Sequence, residues 1–138
     1  DFKDYIRKVL DNAQALAESL SAGGLALVSG GTDNHLILAD VTAIGPTGAE
    51  AEAVLDKCGI TVNKNMIPFD PRKPLDPSGI RIGTPALTTR GMGIEEMTTI
   101  GGWITSILKS PDDETLIQRI RGGVGALCKQ YPVEMPLL

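Results

Sequence analysis

The chain has 138 residues and a mass of 14.6 kDa, the size of one domain. With 42% hydrophobic and 22% charged residues it is not composed like a disordered chain, and no apolar run approaches the ~18 residues of a membrane span. A net charge of −4 and a pI near 4.9 speak against a broad nucleic-acid footprint but leave room for a local anion site.

The first segment reads as a helix. Phe2, Tyr5, Ile6, Val9, Leu10, Ala13, Leu16, Ala17 and Leu20 recur at helical spacing, and Gly23 and Gly24 stop it. It shows no good N-cap, and the first residue is Asp1 rather than Met. The expectation is a piece of a longer protein. Leu25–Ser29 and His35–Val41 read as two short strands around a Gly30–Asn34 turn, a hairpin-like pair. Thr47 and Glu50 have capping-box spacing and open a helix over 48–58, whose stripe is Ala51, Val54, Leu55 and Cys58. Ile60–Val62 reads as a third strand.

Residues 66–79 carry Pro68, Pro71, Pro74 and Pro77 at every third position. Such a segment cannot be helix or central strand, and is expected to run extended, partly as polyproline II. Ile80–Gly83 reads as a fourth strand and Thr84–Gly93 as a loop. Ile94, Met97, Ile100, Ile104, Ile107 and Leu108 mark a helix over 94–109, weakened by Gly101 and Gly102 unless close packing needs them. Ser110 as N-cap and Pro111 at N1 start a last helix carrying Leu116, Ile117, Ile120, Val124 and Leu127. The order α-β-β-α-β-β-α-α predicts a two-layer α/β sandwich, a small sheet of short strands packed by helices mainly on one face.

Chemistry-bearing residues are sparse. Cys58 and Cys128 lie far apart and His35 is the only histidine, too few ligands for a zinc site; two reduced thiols are expected. His35, at the start of an apolar strand, reads as a structural imidazole. Arg81 is the best polar candidate. Alternation in Ile80-Arg81-Ile82 points it away from its neighbours' face, Gly79 and Gly83 leave room beside it, and a guanidinium held on a strand either binds a carboxylate or simply stands in solvent. Asn63 and Asn65 either read an amide-like heterocycle edge or cap a turn. The Thr88-Thr89-Arg90 stretch carries the same ambiguity.

Three stretches together point to a family. Ser29-Gly-Gly-Thr-Asp-Asn-His-Leu36, Gly59-Ile-Thr-Val-Asn-Lys-Asn65 followed by Ile67-Pro-Phe-Asp70, and Ser78-Gly-Ile-Arg-Ile-Gly-Thr-Pro-Ala-Leu-Thr-Thr-Arg-Gly91 resemble the C-terminal domain of serine hydroxymethyltransferase in order and spacing. The resemblance implies that residues 1–138 are the C-terminal small domain of a pyridoxal-phosphate enzyme of the aspartate-aminotransferase fold type, without its large cofactor-binding domain. The complete enzyme moves a one-carbon unit between serine and tetrahydrofolate, giving glycine and methylenetetrahydrofolate. It is expected to be cytoplasmic, a homodimer or tetramer, and not a partner of nucleic acid or membrane.

The resemblance implies a role for Arg81 in holding the amino-acid carboxylate, and folate contacts for Asn65, Lys73, Pro74 and Leu75. Many members have Phe where Leu75 stands, and Thr is common where Met66 stands. None of the seven lysines stands in the family's Schiff-base motif, so no catalytic residue is expected in this segment and the chain alone is expected to be inactive. The alternatives are a free-standing amino-acid-binding module of the ACT type, whose usual order is β-α-β-β-α-β, or a docking domain.

Overall fold

The computed structural model describes residues 1–28 and 36–132. His35 and the Gly30–Asn34 turn lie outside them. Among the described residues, five helices and four strands follow one another as α1 (Phe2–Ala22), β1 (Ala26–Leu27), β2 (Leu36–Asp40), α2 (Gly48–Lys57), β3 (Asn63–Asn65), β4 (Gly79–Gly83), α3 (Pro85–Thr89), α4 (Ile94–Lys109) and α5 (Glu114–Gln130). A short 3-10 turn, Thr42–Ile44, precedes α2.

The sheet is antiparallel throughout, in the order β1-β2-β4-β3. Side-chain alternation divides its two faces. Ile37, Ala39, Ile80 and Ile82 are buried beneath the helices together with Leu16, Leu20, Leu55, Met97, Ile104 and Leu108. The other face holds Leu36, Asn63 and Arg81, all exposed, and half-buried Leu38, Asp40 and Asn65. This is the expected two-layer α/β sandwich with one covered and one open face.

Several local expectations are corrected. Asp1 is a true N-cap for α1: its carboxylate accepts from Lys3 N at 2.7 Å and Asp4 N at 3.2 Å. The third strand lies at Asn63–Asn65, not Ile60–Val62, because the ladder with β4 pairs Asn63 with Arg81 and Asn65 with Gly79. Val62 is instead buried just before it. The supposed loop 84–93 contains α3, with Pro85 in its first turn, where a missing N–H costs nothing.

The last helix starts at Glu114, capped by Asp113 whose carboxylate accepts from Leu116 N at 3.0 Å. Ser110 ends α4 instead, donating its N–H to Ile107 O at 3.1 Å. Residues 66–78 are a chain of turns rather than a polyproline run. The capping box at Thr47 and Glu50 is present as expected, and both cysteines are free thiols, Cys58 buried and Cys128 half-buried.

The two adjacent glycines of α4 have opposite environments. A Cβ on Gly101 would meet the Ser19 hydroxyl and lie 2.5 Å from Ser19 Cβ, so the close crossing of α1 and α4 requires glycine there. A Cβ on Gly102 would meet nothing within 4 Å. Gly102→Ala is therefore expected to raise stability by about 0.5–1 kcal/mol through backbone entropy. Gly101→Ala should lower it by about 1–3 kcal/mol through overpacking. Urea midpoints of the two variants at unchanged m-value check this, and shifts of the same sign would contradict it.

Candidate functional site

The site is built on the β3–β4 hairpin and the long connection within it. Arg81 lies mid-strand in β4, opposite Leu38 on one side and Asn63 on the other. It is exposed on the open face, as its alternation predicts, and its guanidinium has no hydrogen-bond or ion-pair partner among the described residues. A cation fixed by a central strand yet unpaired is available for an anion from outside.

Asn65 ends β3 on the same face, diagonal to Arg81 across the ladder. Its Nδ2 donates to Met66 O at 2.8 Å, while its Oδ1 has no partner among the described residues. The amide thus does part of both things read from the sequence: it braces a turn and keeps an acceptor free. Lys73, Pro74 and Leu75 are exposed further out on the connection. Arg81, Asn65 and the 73–75 segment therefore follow one another outward along a single hairpin.

The connection is held by a residue to which sequence reasoning gave no role. Asp70 accepts from Arg72 N at 2.8 Å, Ser78 N at 2.9 Å, Ser78 Oγ at 2.7 Å and Ile67 N at 3.3 Å. One carboxylate thereby ties both ends of the connection together. Burial pushes the Asp70 carboxyl up, but the Ser78, Arg72 and Ile67 donors outweigh it and hold it at about 2, below the ordinary 3.8. The Arg72 contact is an Asx-type turn, the only part of this pattern visible as a local signal.

Asp76 adds a second tie. Its Oδ2 receives Arg72 Nη2 at 2.7 Å, and Arg72 Nε reaches Asp76 O at 2.9 Å. The Thr47 hydroxyl first, and then the Arg72 guanidinium, hold the Asp76 carboxyl below its ordinary range against the effect of burial. Asp76 Oδ1 is nonetheless enclosed without a hydrogen bond of good geometry, so the Thr47 hydroxyl acts on the carboxyl without a well-aligned bond. The base of the connection is fixed by Gly48 N donating to Pro77 O at 2.7 Å and Val41 N to Ser78 O at 3.0 Å.

A depressed carboxyl pKa stabilises the folded form fully above the unfolded value and loses that contribution as pH falls through the folded one. The Asp70 contribution is thus present above about pH 4 and lost toward about pH 2. Asp70→Asn should lower stability at pH 7 and flatten the acid decline over that window. Denaturant titrations at pH 7, 4 and 2.5 for both proteins test this; parallel declines would contradict it.

The threonines of α3 serve the fold. Thr88 Oγ1 accepts from buried Asn12 Nδ2 at 2.8 Å and donates to Thr84 O at 2.9 Å. Thr89 Oγ1 lies 2.9 Å from the Tyr5 hydroxyl. Among the described residues no group of three or more His, Cys, Asp or Glu side chains is placed to hold a metal, and no helix is long and apolar enough to cross a membrane.

The fold and site define an α/β domain that presents an unpaired strand arginine and a pinned loop on an open sheet face. A family model of serine hydroxymethyltransferase matches residues 1–104. The chain is 59% identical over 133 residues to the serine hydroxymethyltransferase of Rhodopirellula baltica, covering 96% of this chain and 32% of that protein. Against the serine hydroxymethyltransferase of Acidobacterium capsulatum it is 54% identical over 133 residues, covering 96% and 31%. The chain belongs to the serine hydroxymethyltransferase family, and spans about a third of the length of the curated relatives it matches. The membership favours an enzyme domain over the free-standing module, and the observed element order is not β-α-β-β-α-β.

Proposed function

We propose that residues 1–138 form the C-terminal small domain of a serine hydroxymethyltransferase, with the large cofactor-binding domain outside them. In the complete enzyme, serine and tetrahydrofolate give glycine and 5,10-methylenetetrahydrofolate. Arg81 anchors the α-carboxylate of serine or glycine, and Asn65, Lys73, Pro74 and Leu75 contact the folate. The observation that carries this reading is the Arg81 guanidinium on the open face of β4, without a partner among the described residues, in a chain of this family. Fixing the carboxylate restricts how the substituents on the amino acid's α-carbon are oriented, which is a positional contribution to catalysis. The complete enzyme acts in the cytoplasm as a homodimer or tetramer.

Pyridoxal 5'-phosphate is the cofactor of that reaction, and the residues present here do not fit it. Lys64 is half-buried and the other six lysines are exposed. None lines the apolar cavity between α4 and α5. The cofactor belongs to the remainder of the complete enzyme, and this chain's part is substrate binding.

Separate substitutions distinguish the two substrate contacts. Asn65→Ala in the complete enzyme should impair folate-dependent serine cleavage. It should largely spare the folate-free cleavage of a bulkier 3-hydroxy amino acid. One or two neutral hydrogen bonds at about 0.5–1.5 kcal/mol each correspond to roughly a 2- to 150-fold loss in kcat/KM. Equal loss in both reactions would assign Asn65 to shaping the hairpin and remove it from the folate site.

A further inference from the structure

A cavity of about 250 Å³ lies on the helix side of the sheet, bounded by Ile82 of β4, Leu87 of α3, Trp103 of α4 and Leu127 and Cys128 of α5. It is separate from the Arg81 face, because Ile82 points inward where its neighbour Arg81 points outward. Its walls are mostly apolar, with Thr61 the one hydroxyl-bearing residue and Arg90 the one charged residue among the described residues that line it. Arg90, half-buried, lines it, and no carboxylate among the described residues pairs with that guanidinium. Arg90 Nε donates to Tyr131 O at 2.9 Å and Nη2 to Cys128 O at 3.5 Å. These two bonds hold the side chain against the end of α5. A guanidinium has five N–H donors, so three remain without a partner among the described residues, two of them on the edge formed by Nη1 and Nη2.

We propose that this cavity binds a small apolar monocarboxylate, its hydrocarbon part against Leu87, Trp103 and Leu127 and its carboxylate on the free edge of Arg90. The chemistry selects that class. A planar single anion matches the fork of a guanidinium, while a dianion would bring a second charge into apolar walls that offer no second cation. A neutral apolar molecule would fill the space but leave the Arg90 donors unpaired. The volume, just under the usual range of about 300–1,000 Å³ for ligand pockets, limits the ligand to a short chain or a single ring. The inference stands on the cavity and on Arg90 alone, and is independent of the role given to Arg81.

Octanoate is the probe, with octan-1-ol and acetate as comparisons, added to the complete protein. Binding is read by equilibrium dialysis and by the rate of Cys128 alkylation, followed by peptide mass spectrometry. Octanoate is expected to slow alkylation of Cys128 and to bind about 10-fold or more tightly than octan-1-ol, with acetate giving no protection. Arg90→Gln should weaken octanoate by a similar factor and leave octan-1-ol unchanged. Val124→Phe, which fills the cavity from α5, should abolish both. If that variant does not fold, the Arg90→Gln comparison still decides. Octanoate protecting no better than acetate, octan-1-ol binding as tightly as octanoate, or Arg90→Gln leaving octanoate affinity unchanged each overturns the proposal.

Discussion

Replacing Arg81 with alanine in the complete enzyme is expected to weaken serine and glycine binding by at least about 10-fold. A hydrogen bond to a charged group contributes about 1.5–3 kcal/mol, and each 1.4 kcal/mol is a factor of 10, so one lost bond gives roughly 10- to 150-fold and a lost pair more. Arg81→Lys should recover little, because an ammonium is a point donor without a planar fork. Stability should change by less than about 0.5 kcal/mol, since the side chain is exposed and unpaired. The folate-dependent and folate-free reactions should both suffer, because both substrates carry the α-carboxylate. Glycine titrations of each variant, alongside urea denaturation, check these expectations. Near-normal glycine affinity would reduce Arg81 to an exposed strand residue.

The second large effect concerns the residue that opens the same strand. Gly79 lies in β4 between Asp40 of β2 and Asn65 of β3. A Cβ built there would lie 2.8 Å from Asn65 O, 2.8 Å from Ile67 Cγ2 and 3.0 Å from Ala39 O. Two of these are backbone oxygens of the flanking strands, which cannot swing aside as a flexible side chain can. Gly79→Ala should therefore cost about 3 kcal/mol, at the upper end of the overpacking range. The strain falls where β3 meets the connection, so Asn65 and the Asp70-pinned turns should be disturbed with it. Denaturant unfolding measures the loss. A variant as stable as the parent would show that the hairpin relaxes freely, contrary to the crowding around Gly79.

Much of this architecture is legible in the sequence because its signals are local. The Thr47–Glu50 capping box, the helical spacing of Leu16 and Leu20, and the alternation that turns Arg81 outward are each set within a few residues. Where the reading slipped, a non-local partner or a competing local signal decided. Ile60–Val62 is apolar enough for a strand, yet the ladder forms three residues later because Arg81 pairs with Asn63. Pro111 suggested a helix start at Ser110, but Ser110 closes α4 and Asp113 supplies the carboxylate that caps α5. Thr and Gly content hid α3, although Pro85 is a helix-start signal.

The site divides the same way. Arg81 could be singled out from strand alternation, since its direction follows from two neighbours. The role of Asp70 could not, because it depends on a turn bringing Ile67, Arg72 and Ser78 to one carboxylate. Periodic prolines indicate only that the segment is neither helix nor central strand. Arg90 is ambiguous in the sequence for a related reason: the end of α5 that it holds is 38 to 41 residues away.

A crystal structure of the complete protein with glycine bound tests the central claim most directly. The account predicts the glycine carboxylate on the Arg81 guanidinium through paired N–H···O contacts of about 2.7–2.9 Å, with the ligand on the open face of β4. A carboxylate held by another cation, with Arg81 facing solvent, would contradict it.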